Sequence, residues 1–226
     1  MHNQIDFKEL KEIQKQIVKG ISLNDNFSEI KKIAAFSLTS KDKKMLCAAV
    51  VLDAETMEVL EEKEIITDEL MQYSPVFVAF REGPAIMEVL KELEQKPDLI
   101  LVEGFGALQQ FKVGTASYIG VLANKPCIGV AKNLMFGRLE EEKIVVNNEV
   151  KGFALRIKEF ANPVYITPGQ NISVETAQSV MSKLVNPEFK MPYPLHLAHK
   201  NLIRLKKGET ISLPQAGEKE SVEQEA

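Results

Sequence analysis

Two apolar runs in the middle of the chain each end in a single charged residue, and the two charges are opposite. Residues 99–102 lead into Glu103, and residues 127–131 lead into Lys132. If both runs are strands of an open α/β sheet, their carboxyl ends lie at the edge where such sheets form their sites. An isolated acid and an isolated cation therefore predict a functional site at that edge.

Glycines and a further acid accompany this pair. Gly104 and Gly106 follow Glu103 directly and would let a ligand approach the backbone closely, although a tight strand-to-helix turn explains them equally well. Glu82 lies between an apolar, strand-like run and the expected start of a helix. It is either a second site acid or an acid that stabilises the helix N-terminus. The residues alone leave these alternatives open.

The elements that must position these residues follow from apolar spacing. A meander of three strands comes first, and strands that alternate with helices come after it. Ser173 is a plausible N-cap. The predicted helices cover residues 7–20, 84–93, 114–122, 174–184 and a stretch from about 195. The predicted strands cover residues 33–38, 45–52, 57–66, 99–102, 127–131, 151–157 and 164–167. This order predicts an α/β domain with a mixed sheet.

Composition narrows the class of protein. The chain has 226 residues, 45% of them hydrophobic, and a formal charge of −4, so nucleic-acid binding would need a local basic patch. Cys47 and Cys127 lie in apolar runs, which indicates core thiols in a reducing compartment. The N-terminus lacks a signal-peptide pattern and no apolar stretch would span a bilayer, so we expect a cytoplasmic protein without a membrane partner. We expect one domain over residues 1–213 and an acidic, disordered tail over 214–226.

Seven segments, taken in order, resemble the endonuclease V family. They are AAVVLD (48–53), YSPVFVAFREGPA (73–85), PDLILVEGFG (97–106), GTASYIGVL (114–122), KPCIGVAK (125–132), NPVYITPGQ (162–170) and PYPLHLAH (192–199). The resemblance covers about residues 7–205. It implies a ribonuclease H-like three-layer fold with a central mixed sheet flanked by helices. It also implies metal-dependent phosphodiester hydrolysis near deaminated adenine (inosine) in DNA or RNA.

The resemblance implies which residues would act. The family's metal-binding acids fall on Ser37, Glu82 and Glu103, and its lysine falls on Lys132, which would meet a phosphate. Mg²⁺ or Mn²⁺ would be the cofactor of an active protein. Ser37, however, is a neutral hydroxyl and a weak magnesium ligand. Glu103 replaces an aspartate and shifts its carboxylate by about 1.5 Å, one C–C bond.

Other family positions also differ. Phe105, Gln109 and Gln170 stand where the family has histidines, and His199 stands where it has a C-terminal aspartate. His196 and His199 are spaced i, i+3, which suits either a metal pair or a polar helix face.

The resemblance implies a substrate-binding set as well. Tyr73 and Pro75 remain from the wedge that splits the duplex, and Gly104, Gly106 and Gly114 remain from the base pocket. An aromatic ring at the wedge can stack on a displaced base. The alternative is a tyrosine that packs on the core.

Three hypotheses follow. The chain is an impaired endonuclease V with Glu82 and Glu103 holding a metal, a nucleic-acid-binding module that has lost cleavage, or a protein-interaction module. The basic runs 41–44 and 204–207 would meet phosphates in the first two cases and are otherwise solvated surface. Neither the choice of DNA or RNA nor the oligomeric state follows from the sequence.

Overall fold

The computed structural model describes residues 6–108 and 113–209, in which a nine-stranded sheet carries helices on both faces. The strands are β1 Lys32–Lys41, β2 Lys44–Asp53, β3 Val59–Asp68, β4 Leu99–Glu103, β5 Cys127–Ala131, β6 Arg138–Glu140, β7 Lys143–Val146, β8 Glu149–Leu155 and β9 Val164–Gln170. The helices are α1 Phe7–Gly20, α2 Val78–Glu92, α3 Thr115–Ala123, α4 Val174–Lys183 and α5 Tyr193–Lys207.

The strand order across the sheet is β3-β2-β1-β4-β5-β9-β8-β7-β6. Strand β4 lies between β1 and β5 and runs parallel to both, whereas the outer pairs are antiparallel. The expected mixed sheet is therefore confirmed, including its parallel pair at the two apolar runs. The carboxyl ends of β1, β4 and β5 point to the same edge.

Alternation along the buried strands builds two cores, one on each face of the sheet. In β1, Ile33 and Ala35 pack on the side covered by α4 and α5. Ala34 and Phe36 pack on the side covered by α2 and α3. Because a strand points successive side chains to opposite faces, this single strand contributes to both cores. The three-layer architecture follows.

The start of α2 corrects one prediction. The helix begins at Val78, so Pro84 lies inside it and Glu82 belongs to the helix rather than preceding it. The aromatic and β-branched run before Glu82 suggests a strand, but Phe77 and Phe80 are spaced i, i+3. Both are buried in a cluster that includes Ile17 of α1. Packing against α1 thus extends the helix toward its N-terminus.

Two strands were not predicted from the sequence. β6 is exposed throughout, and β7 is only four residues long, so neither shows a clear apolar alternation. Cys47 and Cys127 are free and buried, as expected for core thiols. Within the described part of the chain, no helix is long and apolar enough to cross a membrane. Gln109 and the predicted tail over 214–226 lie outside the described residues.

Candidate active site

Three predicted site residues project from neighbouring strands on the same face of the sheet. Ser37 lies within β1, Glu103 ends β4 and Lys132 follows β5 directly. Each continues an alternation whose preceding members face α4 and α5. Because β1, β4 and β5 are parallel and in register, the three side chains form a row at one edge.

The row is held together around the carboxylate of Glu103. The buried Ser37 Oγ donates to Glu103 Oε1 at 2.6 Å. His199 Nδ1, from α5, lies 3.2 Å from Ser37 Oγ and 3.4 Å from Glu103 Oε1. Since the single Ser37 proton goes to Glu103, a hydrogen bond between His199 and this hydroxyl requires the ring nitrogen to donate. Lys132 Nζ lies 3.9 Å from Glu103 Oε2.

Glu82 reaches the site from the opposite helical layer. Its Oε2 accepts a hydrogen bond of 3.0 Å from Thr115 Oγ1, at the start of α3. Burial raises the pKa of the Glu82 carboxyl above its usual value, and the charge of Glu103 acts in the same direction. The Thr115 hydroxyl and the Arg81 charge oppose that rise. The two acids thus interact electrostatically, although they come from different layers.

Both acids line a cavity of about 200 Å³ that opens beside the row. The predicted substrate-binding residues lie on its wall: Tyr73, Pro75, Gly104, Gly106 and Gly114. Met135 and Phe136 also line the wall and were not predicted. They follow Lys132 closely in the chain, and an apolar pair three residues after a site lysine is the signal that would have found them. Most of the wall is apolar, which suits a flat aromatic ligand.

The glycines of this loop are needed mainly by the protein's own backbone. Gly104 has φ +141°, a conformation that side chains disfavour. A Cβ on Gly106 would lie 2.1 Å from the carbonyl oxygen of Pro168 in β9. Close approach is thus required at Gly106, but the group that approaches is β9. The strand-to-helix turn that we considered from the sequence accounts for Gly104, whereas packing against β9 accounts for Gly106.

Tyr73 does not pack on the core. The residue is 60% exposed at the mouth of the cavity, and the Arg81 guanidinium lies 5.7 Å from its ring centroid. Arg81 Nε in turn bonds Glu69 Oε1 at 2.6 Å, and Ser40 Oγ donates to Glu69 Oε2 at 2.8 Å. This arrangement leaves more than half of the residue exposed and places a guanidinium within cation–π distance of its ring.

Comparison with known proteins identifies the family to which this chain is similar. The sequence matches the Endonuclease V family model over residues 12–200. The chain belongs to the endonuclease V family. An Endonuclease V from Dictyoglomus thermophilum is 32% identical over 203 residues, which cover 86% of this chain and 89% of that protein.

Solved structures of the endonuclease V family agree with this fold. The Bacillus subtilis Endonuclease V has a TM-score of 0.83 at 26% identity, covering 92% of this chain and 95% of that chain. The Ciona intestinalis Endonuclease V was solved in complex with a 24mer DNA containing an inosine followed by a ribo-adenosine. Its TM-score is 0.79 at 23% identity, covering 89% of this chain and 98% of that one. The fold is ribonuclease H-like, as the sequence resemblance implied.

The donors present do not fit the divalent metal that the family resemblance implies. Magnesium prefers oxygen ligands with negative charge, but the family position on the first strand holds the Ser37 hydroxyl, whose proton points to Glu103. Glu103 itself lies among a hydroxyl, an imidazole and an ammonium group. Among residues 6–108 and 113–209, no group of three or more His, Cys, Asp and Glu side chains could hold a metal.

The two late histidines do not form a metal pair with each other. His196 stacks on Phe189, with ring centroids 3.8 Å apart. His199 contacts the Ser37–Glu103 pair, a role that the sequence did not predict. Helical spacing shows only the face on which it lies, because His199 follows the buried Leu195 by four residues and the buried Ala198 by one. It therefore flanks the stripe of α5 that faces the sheet.

Proposed function

We propose that this endonuclease V-family protein binds inosine-containing nucleic acid and does not cleave it by the family's metal-dependent route. The observation that carries this proposal is the contact between Ser37 and Glu103. A neutral hydroxyl occupies one acid position and engages a second, while the cavity beside them keeps its aromatic and glycine wall.

Three features support binding. The cavity is mostly apolar and opens between the two acids and the exposed ring of Tyr73. A displaced base can stack on such a ring, which is worth about 1–3 kcal/mol per base. The family to which the chain belongs includes a Ciona intestinalis member that was solved with inosine-containing DNA.

The electrostatics of the site support the loss of cleavage. Acids at all three family positions would present three negative charges to a metal, whereas Glu82 and Glu103 present two at most. Lys132 and His199 lie next to Glu103 and compete with any cation for it. Because the pKa of Glu82 is raised, its carboxyl group loses its proton less readily, which reduces the negative charge available to a metal. Magnesium capture would therefore be weak.

The test is a paired measurement of binding and cleavage on one set of oligonucleotides. Labelled single-stranded DNA and RNA carrying one inosine are compared with the same sequences carrying guanosine. Fluorescence anisotropy is expected to show preferential binding of inosine, and denaturing gels in Mg²⁺ or Mn²⁺ are expected to show little or no cleavage. The Glu82→Ala variant measures background nuclease activity.

Two results would overturn the proposal in different ways. Robust magnesium-dependent cleavage that Glu82→Ala abolishes would mean that Ser37 does not disable the site. Equal binding of inosine and guanosine oligonucleotides would remove the substrate assignment, and binding of neither would favour the protein-interaction alternative. The cytoplasmic location and the single domain over residues 1–213 stay predictions, and the oligonucleotide comparison decides between DNA and RNA.

A further inference from the structure

We propose that two basic runs, distant in sequence, form one surface that binds the sugar-phosphate backbone next to the cavity. We call it the basic surface, and its members are Lys41, Lys43, Lys44, Arg204, Lys206 and Lys207. The inference rests on the proposed function, because it extends the path of the same nucleic acid away from the candidate site.

The fold brings the two runs into direct contact. Lys41, at the end of β1, donates from Nζ to the backbone carbonyl oxygen of Lys206, near the end of α5, at 2.9 Å. Below them, Leu46 and Ala48 of β2 pack with Leu202 and Leu205 of α5. This apolar contact fixes the helix over the hairpin, so the charges above it keep a constant spacing.

The basic surface lies in line with the candidate site. Along β1, Lys41 is four residues beyond Ser37, which corresponds to about 13 Å of strand. Along α5, Lys206 is seven residues beyond His199, or about 10 Å of helix. Ser37 and His199 touch, and so do Lys41 and Lys206. The strand and helix therefore leave the site together, over a length of about three or four nucleotides at 3.4 Å each.

The exposure and the positive charge of the basic surface suit the binding of phosphate groups. The five lysines are exposed, and the six cations outnumber the neighbouring carboxylates of Asp42, Asp68, Glu69 and Glu209. Within residues 6–108 and 113–209, Lys44 pairs with Asp68 at 2.6 Å, and no other ion pair involves a basic side chain of this surface. This concentration of positive charge stands out on a chain whose formal charge is −4.

Helix stabilisation explains only part of this surface. Basic residues in the last turn of α5 favour the helix dipole, and Lys41 caps a free carbonyl. Lys43 does neither. It occupies the hairpin turn with φ 59°, directly after Asp42 with φ 51°, and hairpin turns of this kind prefer glycine at the second position. A lysine there presents a charge at the tip of the hairpin in spite of a conformational cost.

The chemistry of the surface indicates how it would bind. Exposed ammonium groups act as point charges toward phosphates, and contacts to phosphate oxygens carry no direct sequence information. The contribution should therefore be independent of sequence, dependent on salt, and dependent on whether the strand is long enough to reach the surface. Recognition of inosine would remain in the cavity.

The test combines a double variant with substrates of different length. Lys43→Gln/Lys207→Gln removes two exposed charges without touching the Lys41 cap. The control, Lys91→Gln/Lys125→Gln, makes the same charge change at the opposite edge, at the end of α2 and just before β5. The substrates are short oligonucleotides that contain one inosine or one guanosine, and we call the unextended strand the core. Each core is measured alone and with an extension of about four nucleotides on the 5′ or the 3′ side.

We expect extension on one side only to increase affinity for the parent chain and for the control. In Lys43→Gln/Lys207→Gln this gain should be lost, with binding of the extended strand roughly tenfold weaker at low salt. The slope of log affinity against log salt should fall by about 1.4, which is two single-strand phosphate contacts. Binding of the unextended core should be unchanged.

The outcomes separate this inference from the proposed function. If the Lys43/Lys207 and Lys91/Lys125 variants bind extended strands equally well, the basic surface is not a phosphate site, whatever the inosine preference. If the Lys43/Lys207 variant loses the extension effect while inosine and guanosine oligonucleotides bind alike, phosphate binding by the basic surface is supported and the preference for inosine is contradicted.

Discussion

Replacing Ser37 with aspartate should make the stability of the protein depend on a divalent cation. Ser37→Asp removes the 2.6 Å hydrogen bond to Glu103 and puts a second carboxylate in a buried position beside it. Two unit charges about 4 Å apart at an effective dielectric constant near 20 repel by about 4 kcal/mol. The lost hydrogen bond adds about 1 kcal/mol. Lys132 offsets part of this repulsion, so we expect a net loss of about 3 kcal/mol.

That loss is large enough to measure and should be reversible by metal. In a chain of this size, 1 kcal/mol shifts the midpoint of thermal unfolding by about 2–4 °C, so Ser37→Asp should unfold about 6–12 °C below the parent in chelator. With acids at all three family positions, the site can take a cation. A cation at a hundred times its Kd would restore about 2.7 kcal/mol.

The assay is thermal unfolding followed by circular dichroism, with chelator or with excess magnesium. The matched control is Ser37→Asn, which has nearly the same shape as aspartate but no charge. We expect magnesium to raise the midpoint of Ser37→Asp by several degrees and to leave the parent and Ser37→Asn nearly unchanged. If magnesium raises the parent as much as it raises Ser37→Asp, the existing donors already hold a metal and the reasoning is wrong.

Three further changes test the site. Ser37→Asp combined with Glu103→Asp should raise magnesium-dependent cleavage of inosine oligonucleotides above the parent rate, measured on denaturing gels; equal rates would show that these two positions do not limit cleavage. Tyr73→Ala should weaken inosine binding by about 5- to 150-fold, from a stacking energy of about 1–3 kcal/mol, at an unchanged midpoint of unfolding, because the ring is exposed. Unaltered anisotropy titrations would remove the stacking role. Burial raises the pKa of Glu82 above its ordinary 4.5. At a pH between the unfolded and the folded pKa, the folded chain keeps a proton that the unfolded chain has lost. The free energy of unfolding therefore falls as the pH rises through this range. Glu82→Gln should thus stabilise the chain relative to the parent near pH 7.5 and not near pH 4, and the same difference in both buffers would contradict this assignment.

Local sequence signals correctly predicted those helices and strands whose bounds depend mainly on their own residues. The predicted helix over residues 7–20 coincides with α1, whose N-cap Asp6 accepts from the backbone of Lys8. The predicted strand over residues 127–131 coincides with β5, which is buried throughout. Ser173 caps α4 as expected, accepting from the backbone of Thr176. In each case the apolar period and the boundary residue agree with the final packing.

Contacts between distant parts of the chain were beyond sequence reasoning. The start of α2 depends on packing of Phe77 and Phe80 against α1. The Ser37–Glu103 hydrogen bond depends on the parallel register of β1 and β4, which places Phe36 opposite Val102. His199 reaches that pair only because α5 crosses β1 and β2. Spacing along the chain shows the faces of these elements but not the partner that each face meets.

The position of α5 has a consequence for how the protein is made. This last described helix covers the first hairpin of the sheet, where Leu46 and Ala48 of β2 pack with Leu202 and Leu205. On the ribosome, β2 ends at Asp53, about 140 residues before α5 begins at Tyr193. Until that helix docks, one apolar face of the hairpin is uncovered and His199 is absent from the site. Chaperone contacts should therefore concentrate on nascent chains that end before α5, and release should coincide with docking of the helix that completes the site.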